Sequence, residues 1–305
     1  MSVVDFSQLP PPDLIKVLDY EQILAKRKAR FISLYPPDEQ PYWTEVLTRE
    51  SEPVTKILQE NAYLELLMSN QRNQDARALL LAFSTGSDLD HIAVSYYGVT
   101  RLVITPANPN TVPPTSAVME SDEDLKERCL LSLSGFNTAG ATNAYKFFSK
   151  SADGRVADAS IISHEDNPCF LDVYITQHDS EDFSAAPELV DIVQKALDPD
   201  DVRPVGDRPT VHSSTPVTYQ IQARLYISQT AENVMLLSVA QERLQKYIKN
   251  SKKIGQSIRL SAIYAALHVD GVSRVEILNP TSDIVISKAQ HAFCTSTDVQ
   301  IGGTE

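Results

Sequence analysis

The chain has 305 residues, 40 of them acidic and 27 basic, for a net charge of −13. A surface this negative repels a phosphate backbone, so broad nucleic-acid binding is disfavoured. The longest apolar run, Ala78–Phe83, is far short of the ~20 residues that span a bilayer, and Met1–Asp5 lacks the basic and apolar regions of a secretion signal.

Residues 1–12 read as an irregular arm ending in Pro10-Pro11-Pro12. Leu14, Val17, Leu18, Leu24 and Phe31 fall near 3.5-residue spacing, which predicts a helix over about 13–35 that stops before Pro36-Pro37. A polar connection with the only tryptophan, Trp43, should follow. Ser51-Glu52-Pro53 is a good helix start, and Val54, Ile57, Leu58, Leu64, Leu67, Met68 and Leu79 continue an apolar stripe. A helix over 51–83 would be about 50 Å long, a length suited to bundles. Gly86–Ala93 is a short capped helix closed by Gly98, and the four prolines between Thr105 and Thr115 predict a stiff, extended linker.

Ser121 and Asp124 form a capping box for a helix carrying Leu125, Cys129 and Leu133, with a second helix over about 139–150. Val156–Ile162 and Phe170–Thr176 predict a hairpin turning at 164–168, followed by a helix over Pro187–Leu197. Strict alternation from Val217 to Ile227 predicts a half-buried strand. Helices over 231–250 and 260–267, a strand over 272–278 and weaker strands within 283–301 complete the chain, whose last three residues should fray. Helix, Asp153-Gly154, strand echoes helix, Asp270-Gly271, strand, as a duplication or a shared local solution would produce.

The fold class that follows is multidomain α+β. An N-terminal helical bundle segment over 1–103, with its long helix, and a proline-rich linker over 104–119 precede two small α+β domains, 120–208 and 209–305.

Chemistry is sparse. Three widely spaced cysteines exclude a CxxC pair and make a disulfide framework unexpected; ten glycines include neither GxGxxG nor a P-loop. The six histidines show no HExxH and no pair three to five residues apart, so spacing supports no metal site. His178–Asp182 could supply paired carboxylates or hold a cation, but consecutive residues do not converge, and a solvated loop is the better reading. Asp198, Asp200 and Asp201 lack the glycine and the twelfth-position glutamate of a calcium loop. Cys129 sits on an apolar stripe as a structural thiol. No catalytic, cofactor-binding or metal-binding residues are assigned. Lys26, Arg27, Lys28 and Arg30 are the one dense positive patch; with Leu14, Val17, Leu18, Leu24 and Phe31 they form the expected partner-binding set. Residues 1–35 hold five basic and four acidic residues, net +1, which leaves −14 on the rest, so an acidic partner surface would suit this helix.

Several stretches in fixed order resemble the baseplate assembly protein J family of contractile-tailed phages and phage-like tail particles. They are Gly86–Ala93 through Tyr97–Arg101; Glu120–Arg128 leading to Phe136–Ala141, Tyr145 and Ser151–Asp158; Asp201–Pro209 with Pro216-Val217; and Leu260–Tyr264 with Asp270–Val272. The resemblance spans about 86–280. It implies a structural baseplate-wedge subunit, not an enzyme, that dimerises and joins a ring around the hub and tube and takes part in assembly and sheath contraction. Implied partners are a second copy, a tail-protein-I-type wedge subunit, a small lysozyme-like wedge subunit and central hub or tube proteins, with no nucleic acid, membrane or cofactor. Implied localisation is the virion tail baseplate, assembled in the host cytoplasm. The alternative is a soluble α/β enzyme whose site is assembled from distant residues; it would show a pocket with perturbed titratable groups.

Overall fold

A computed structural model describes residues 10, 12, 14–136, 141–200, 202–228 and 233–304. The expected N-terminal arm, the motif residues 137–140, Asp201 and the expected first turn of the helix at 231 lie wholly or largely outside them. The chain divides into two compact units, Met1–Tyr96 and Tyr97–Glu305.

The first unit is helical: α1 Tyr20–Ser33, α2 Gln40–Val46, α3 Pro53–Ala78 and α4 Gly86–Tyr97, the last ending at the unit boundary. Helix α1 starts at Tyr20 and not near 13, because the Asp19 carboxylate accepts from the backbone N–H groups of Glu21 and Gln22 and fixes the N-cap there. The segment ahead of it is non-helical and held on α3: the Lys16 N–H donates to Asn73 Oδ1 at 3.1 Å, and Asn73 Nδ2 donates to the Lys16 carbonyl at 2.8 Å. The polar connection around Trp43 is itself a helix, opened by Pro41. Trp43 stacks on Tyr35 at 4.6 Å and meets Phe31 edge-on at 5.4 Å, which fixes the turn between α1 and α2. Helix α3 stops at Ala78 and so spans about 39 Å at 1.5 Å per residue. Leu24, Leu47, Leu58 and Ala62 form the core of this unit, with Tyr20, Ile23, Phe31, Ile32 and Val54 packed against it.

The second unit opens with a ribbon. Strands β1 Val103–Thr105 and β2 Val118–Met119 pair antiparallel, and Asn108 and Thr115 exchange backbone hydrogen bonds of 3.0 and 3.1 Å. The proline-rich segment therefore folds back on itself instead of running out as an extended spacer: pairing at both ends satisfies backbone groups that a straight strand would leave to water. Helix α5 Asp122–Gly135 is capped as expected by Ser121, whose hydroxyl accepts from the Asp124 N–H. Helix α6 Thr142–Ala152 leads to the antiparallel pair β3 Val156–Ser163 and β4 Phe170–Gln177. Helix α7 Pro187–Leu197 then crosses over to β5 Arg208–Ser213, which runs parallel to β4. The sheet order is β3-β4-β5, and the core beneath it gathers Tyr145, Val173, Ile175, Leu189, Val193 and Leu197.

One residue later β6 Thr215–Ile227 begins. It is followed by α8 Asn233–Asn250, α9 Leu260–Leu267, β7 Val272–Asn279 and β8 Gln290–Thr304. Strand β6 is central, antiparallel to β7 and parallel to β8. Its inward residues Tyr219, Ile221, Ala223, Leu225 and Ile227 meet Leu236, Ala240, Leu244 and Ile248 of α8 and Ile263 and Leu267 of α9. Each three-stranded sheet thus has a central strand flanked by one antiparallel and one parallel neighbour, with the antiparallel strand entered from a helix through Asp-Gly.

Candidate functional sites: an open helix face and a polar junction

The nine expected partner-binding residues divide between inside and outside. Leu24 is buried in the α1–α3 core and Phe31 packs against it. Arg27 pairs with Glu65 of α3 at 2.7 Å, and Lys28 donates to the Leu47 carbonyl at 2.9 Å. Leu18 is half-buried. Leu14 and Val17 stand exposed ahead of the helix, the latter at 99%, and Lys26 and Arg30 are exposed on it.

Helix α3 carries a second apolar surface. Its buried positions are Thr55, Leu58 and Ala62, whereas Ile57, Tyr63, Leu64, Leu67 and Met68 remain 45–60% exposed. Ile57, Leu64 and Met68 recur at seven and four residues and so share one face. A helix that is apolar on two sides is ordinarily covered on both. A shallow open groove of about 560 Å³ lined by Tyr20, Lys56, Ile57, Gln59, Glu60 and Tyr63 continues this surface. It holds no nucleophile paired with a base.

A cluster of perturbed titratable groups lies in the second unit, closed against one another. Glu127 of α5 meets Lys146 at 3.3 Å, Lys150 at 3.2 Å and Lys253 at 3.3 Å. Burial alone would raise its carboxyl; Lys150, Lys146 and Lys253 together outweigh that and hold it well below the ordinary carboxylate range. Lys146 also meets Asp158 at 2.8 Å, and although burial disfavours its charge, Asp158 and Glu127 raise its pKa. His178, opposite Asp124 at 3.8 Å, is lowered by burial, against the opposing pull of Asp124. Cys129 is buried as expected, and burial pushes its thiol up to about 11.

Ser214, His291 and Asp182 have the composition of a hydrolase triad but not its geometry. The Asp182 contact is the main-chain carbonyl, 2.6 Å from His291 Nε2. A carbonyl only accepts, so Nε2 carries the proton, and the Ser214 hydroxyl donates to Nδ1 at 2.7 Å. Both side chains are sealed from solvent, so no substrate reaches the hydroxyl. On the surface, His164 and His212 both turn Nε2 to Asp172, at 3.1 and 3.3 Å. Sequence spacing missed this cluster because its members lie on or beside three different strands. The 178–182 loop is ordered by its own side chains: Gln177 donates to Asp179, and Asp182 accepts from the N–H and hydroxyl of Ser184. Among the described residues no group of three His, Cys, Asp or Glu side chains converges as a metal site, and no helix is long and apolar enough to cross a membrane.

Comparison with known proteins gives matches in chain order. Residues 50–108 match the Baseplate J-like N-terminal domain, 137–213 the Baseplate J-like central domain, and 219–300 the Baseplate J-like protein C-terminal domain. Baseplate protein J of Escherichia phage P2 is 46% identical over 305 residues, covering 100% of both chains. A chain in the cryo-EM structure of the anti-feeding prophage baseplate aligns with TM-score 0.40 and 10% identity over 61% of this chain and 44% of its own length.

Proposed function

The chain belongs to the baseplate J-like family, and from that premise we propose that it is a wedge subunit of a contractile tail baseplate, pairing as a dimer and linking into a ring around the hub and tube. That it is a virion structural protein of a phage tail baseplate follows from the family itself. The finer role, including its part in triggering sheath contraction and its assembly in the host cytoplasm, is the proposal. So are its partners: a second copy, a tail-protein-I-type wedge subunit, a small lysozyme-like subunit and the hub or tube proteins. The role is structural and not catalytic.

The observation that carries this reading is the uncovered face of α3, Ile57, Tyr63, Leu64, Leu67 and Met68. Burying large apolar side chains is worth about 1.5–3 kcal/mol each, so such a face drives association with another subunit. Leu14, Val17, Lys26 and Arg30 are the members of the expected set left to join it, whereas Leu24, Arg27, Lys28 and Phe31 serve the fold of their own unit. We assign the α3 face to a second copy. Light scattering on the purified chain tests this: wild type should run as a dimer, and Leu64→Glu with Met68→Glu as a folded monomer that no longer enters complexes with its wedge neighbours. A monomeric wild type together with unimpaired assembly of the variant would overturn the reading.

A further inference from the structure

From the contacts between the central domain and the C-terminal domain, we infer that the two are joined by a releasable polar latch about a one-residue hinge, Ser214. The two hydrophobic cores are separate: the cluster built on β3–β5 and the cluster built on β6–β8 share no residue. The chain passes from one sheet to the other only at Ser213-Ser214-Thr215, between the end of β5 and the start of β6. The contacts between the domains converge from two C-terminal segments and are polar apart from those of the Phe183 ring.

The first segment is the turn after α8. Lys253 donates to Glu127 Oε2 at 3.3 Å, and the Ile254 N–H donates to Asp158 Oδ2 at 3.0 Å. Lys252 lies over the Phe183 ring, 3.9 Å from its centroid. The second segment is the start of β8. There His291 donates to the Asp182 carbonyl and accepts from Ser214, and Phe293 meets Phe183 at 6.3 Å. Phe183 has φ of 65°, left-handed backbone that a bulky residue adopts only when its surroundings hold it there. Its backbone is held within the central domain, where its carbonyl accepts from the Gln177 N–H at 2.9 Å, and its ring is presented to both C-terminal segments.

Interfaces of this composition release more readily than a shared apolar core does, and relative motion of the domains they join is the default. Lys253 is 54% exposed, so its pairing with Glu127 is open to screening by salt. The lysine pair from α6 satisfies Glu127 even when Lys253 leaves, so opening strands no unpaired buried charge on the central side. An open latch frees the C-terminal sheet to swing as a body about Ser214 with both cores intact.

Hydrogen exchange on the full chain tests this. Phe183→Ala removes the ring contacts with Lys252 and Phe293, and Lys253→Ala removes the exposed ion pair; neither residue belongs to a core. The double variant should exchange at Ile254, whose N–H crosses to Asp158, at least tenfold faster than wild type, with Val173, Ile175, Ile221 and Leu225 unchanged. Raising salt from 0.05 to 1 M should speed exchange at Ile254 in wild type and have less effect in Lys253→Ala. Unchanged exchange at Ile254 in the double variant would overturn the inference. So would loss of protection in both cores together, which would mean one indivisible cooperative body.

Discussion

Arg128 and Glu120 meet through two hydrogen bonds of 2.7 Å, Nε to Oε1 and Nη2 to Oε2, with both side chains buried. Arg128 Nη2 also donates to the Thr100 carbonyl at 2.6 Å and Nη1 to Ser151 Oγ at 3.3 Å. One guanidinium thereby ties the entry of the second unit, the start of α5 and the end of α6. Removing one partner of a buried pair leaves the other uncompensated. Arg128→Ala should lower stability by about 3–5 kcal/mol in urea unfolding, and Glu120→Leu with Arg128→Met should recover most of that. A loss below 1 kcal/mol for Arg128→Ala would show that the network is not a keystone.

Glu127 gives the acid behaviour a definite sign. Its carboxyl is held below its ordinary value near 4.5, so its contribution is fully present above pH 4.5 and is lost as pH falls through the lowered folded value. Urea midpoints measured from pH 6 down to 2.5 should fall steeply below about 4.5 in wild type. Glu127→Gln should be less stable at neutral pH, where it leaves Lys150 and Lys146 under-compensated, and should show a shallower acid slope. Equal slopes would mean that Glu127 titrates alike in folded and unfolded chains.

Gly154 and Gly271 separate two causes of one motif. A Cβ at Gly154 would run into the carbonyl of Val103, so the glycine permits a close backbone approach. At Gly271 the cause is φ of 97°. Gly154→Ala should cost about 1–3 kcal/mol as an overpacking change, while Gly206→Ala, with nothing within 4 Å of the added atom, should stay within about 0.5 kcal/mol. Thermal melts of the two variants check both; similar losses would refute the assignment.

The repeated Asp-Gly was visible in the sequence, but its different causes were not, since each depends on tertiary neighbours. Elements written in local chemistry read correctly: the Ser121 cap of α5, the 260–267 helix and the alternation of β6. Elements written in pairing did not. Strand β5 was hidden by Pro209, which an edge position tolerates, so no strand was expected between the helix ending at Leu197 and the alternation beginning at Val217. Strand β8 was legible only as weak strands within 283–301, since Thr-Ser-Thr-Asp at 295–298 of this second edge strand shows no apolar alternation. The exposed half of α3 was legible as a stripe, but the pattern could not say which side was covered. The polar junction escaped notice because residues 127, 158, 182, 253 and 291 share no local spacing. Its one sequence trace is Lys146 and Lys150, four apart on one helix face.

The domain partition yields a proteolytic prediction. We propose the boundaries near 103–119 and 208–215, with the ribbon as the first site of attack: residues 109–114 form a largely exposed tip beyond the last pair, Asn108 and Thr115. The stretch 208–216 should resist, since β5 and β6 lie within sheets on both sides of Ser214. Mass spectrometry of early fragments should show cleavage in 109–114 before any in 208–227. First cuts within β6 would show the partition to be wrong.

The segment 14–19 and helix α1 should behave differently in exchange, although the sequence joined them in one helix. Amides of 24–33 belong to a helix whose Leu24 is sealed against Leu58 and Ala62, so they should be protected in the lone chain at low concentration. Those of 14–19 rest on the exposed pair of bonds between Lys16 and Asn73 and a local bond from the Ile15 N–H to the Pro12 carbonyl, and should exchange fast. Leu14 and Val17 expose their side chains there, and covering them would stabilise the segment by the same burial that covers α3. Adding chain to concentrations that favour dimers, or adding a wedge neighbour, should therefore slow exchange at 14–19 at least tenfold and leave 24–33 nearly unchanged. Asn73→Ala should weaken that protection by removing the arm's anchor. If 24–33 alone gains protection, α1 itself is the docking element and the intramolecular core of the first unit is weaker than its packing indicates. If neither stretch responds, the arm has no part in assembly.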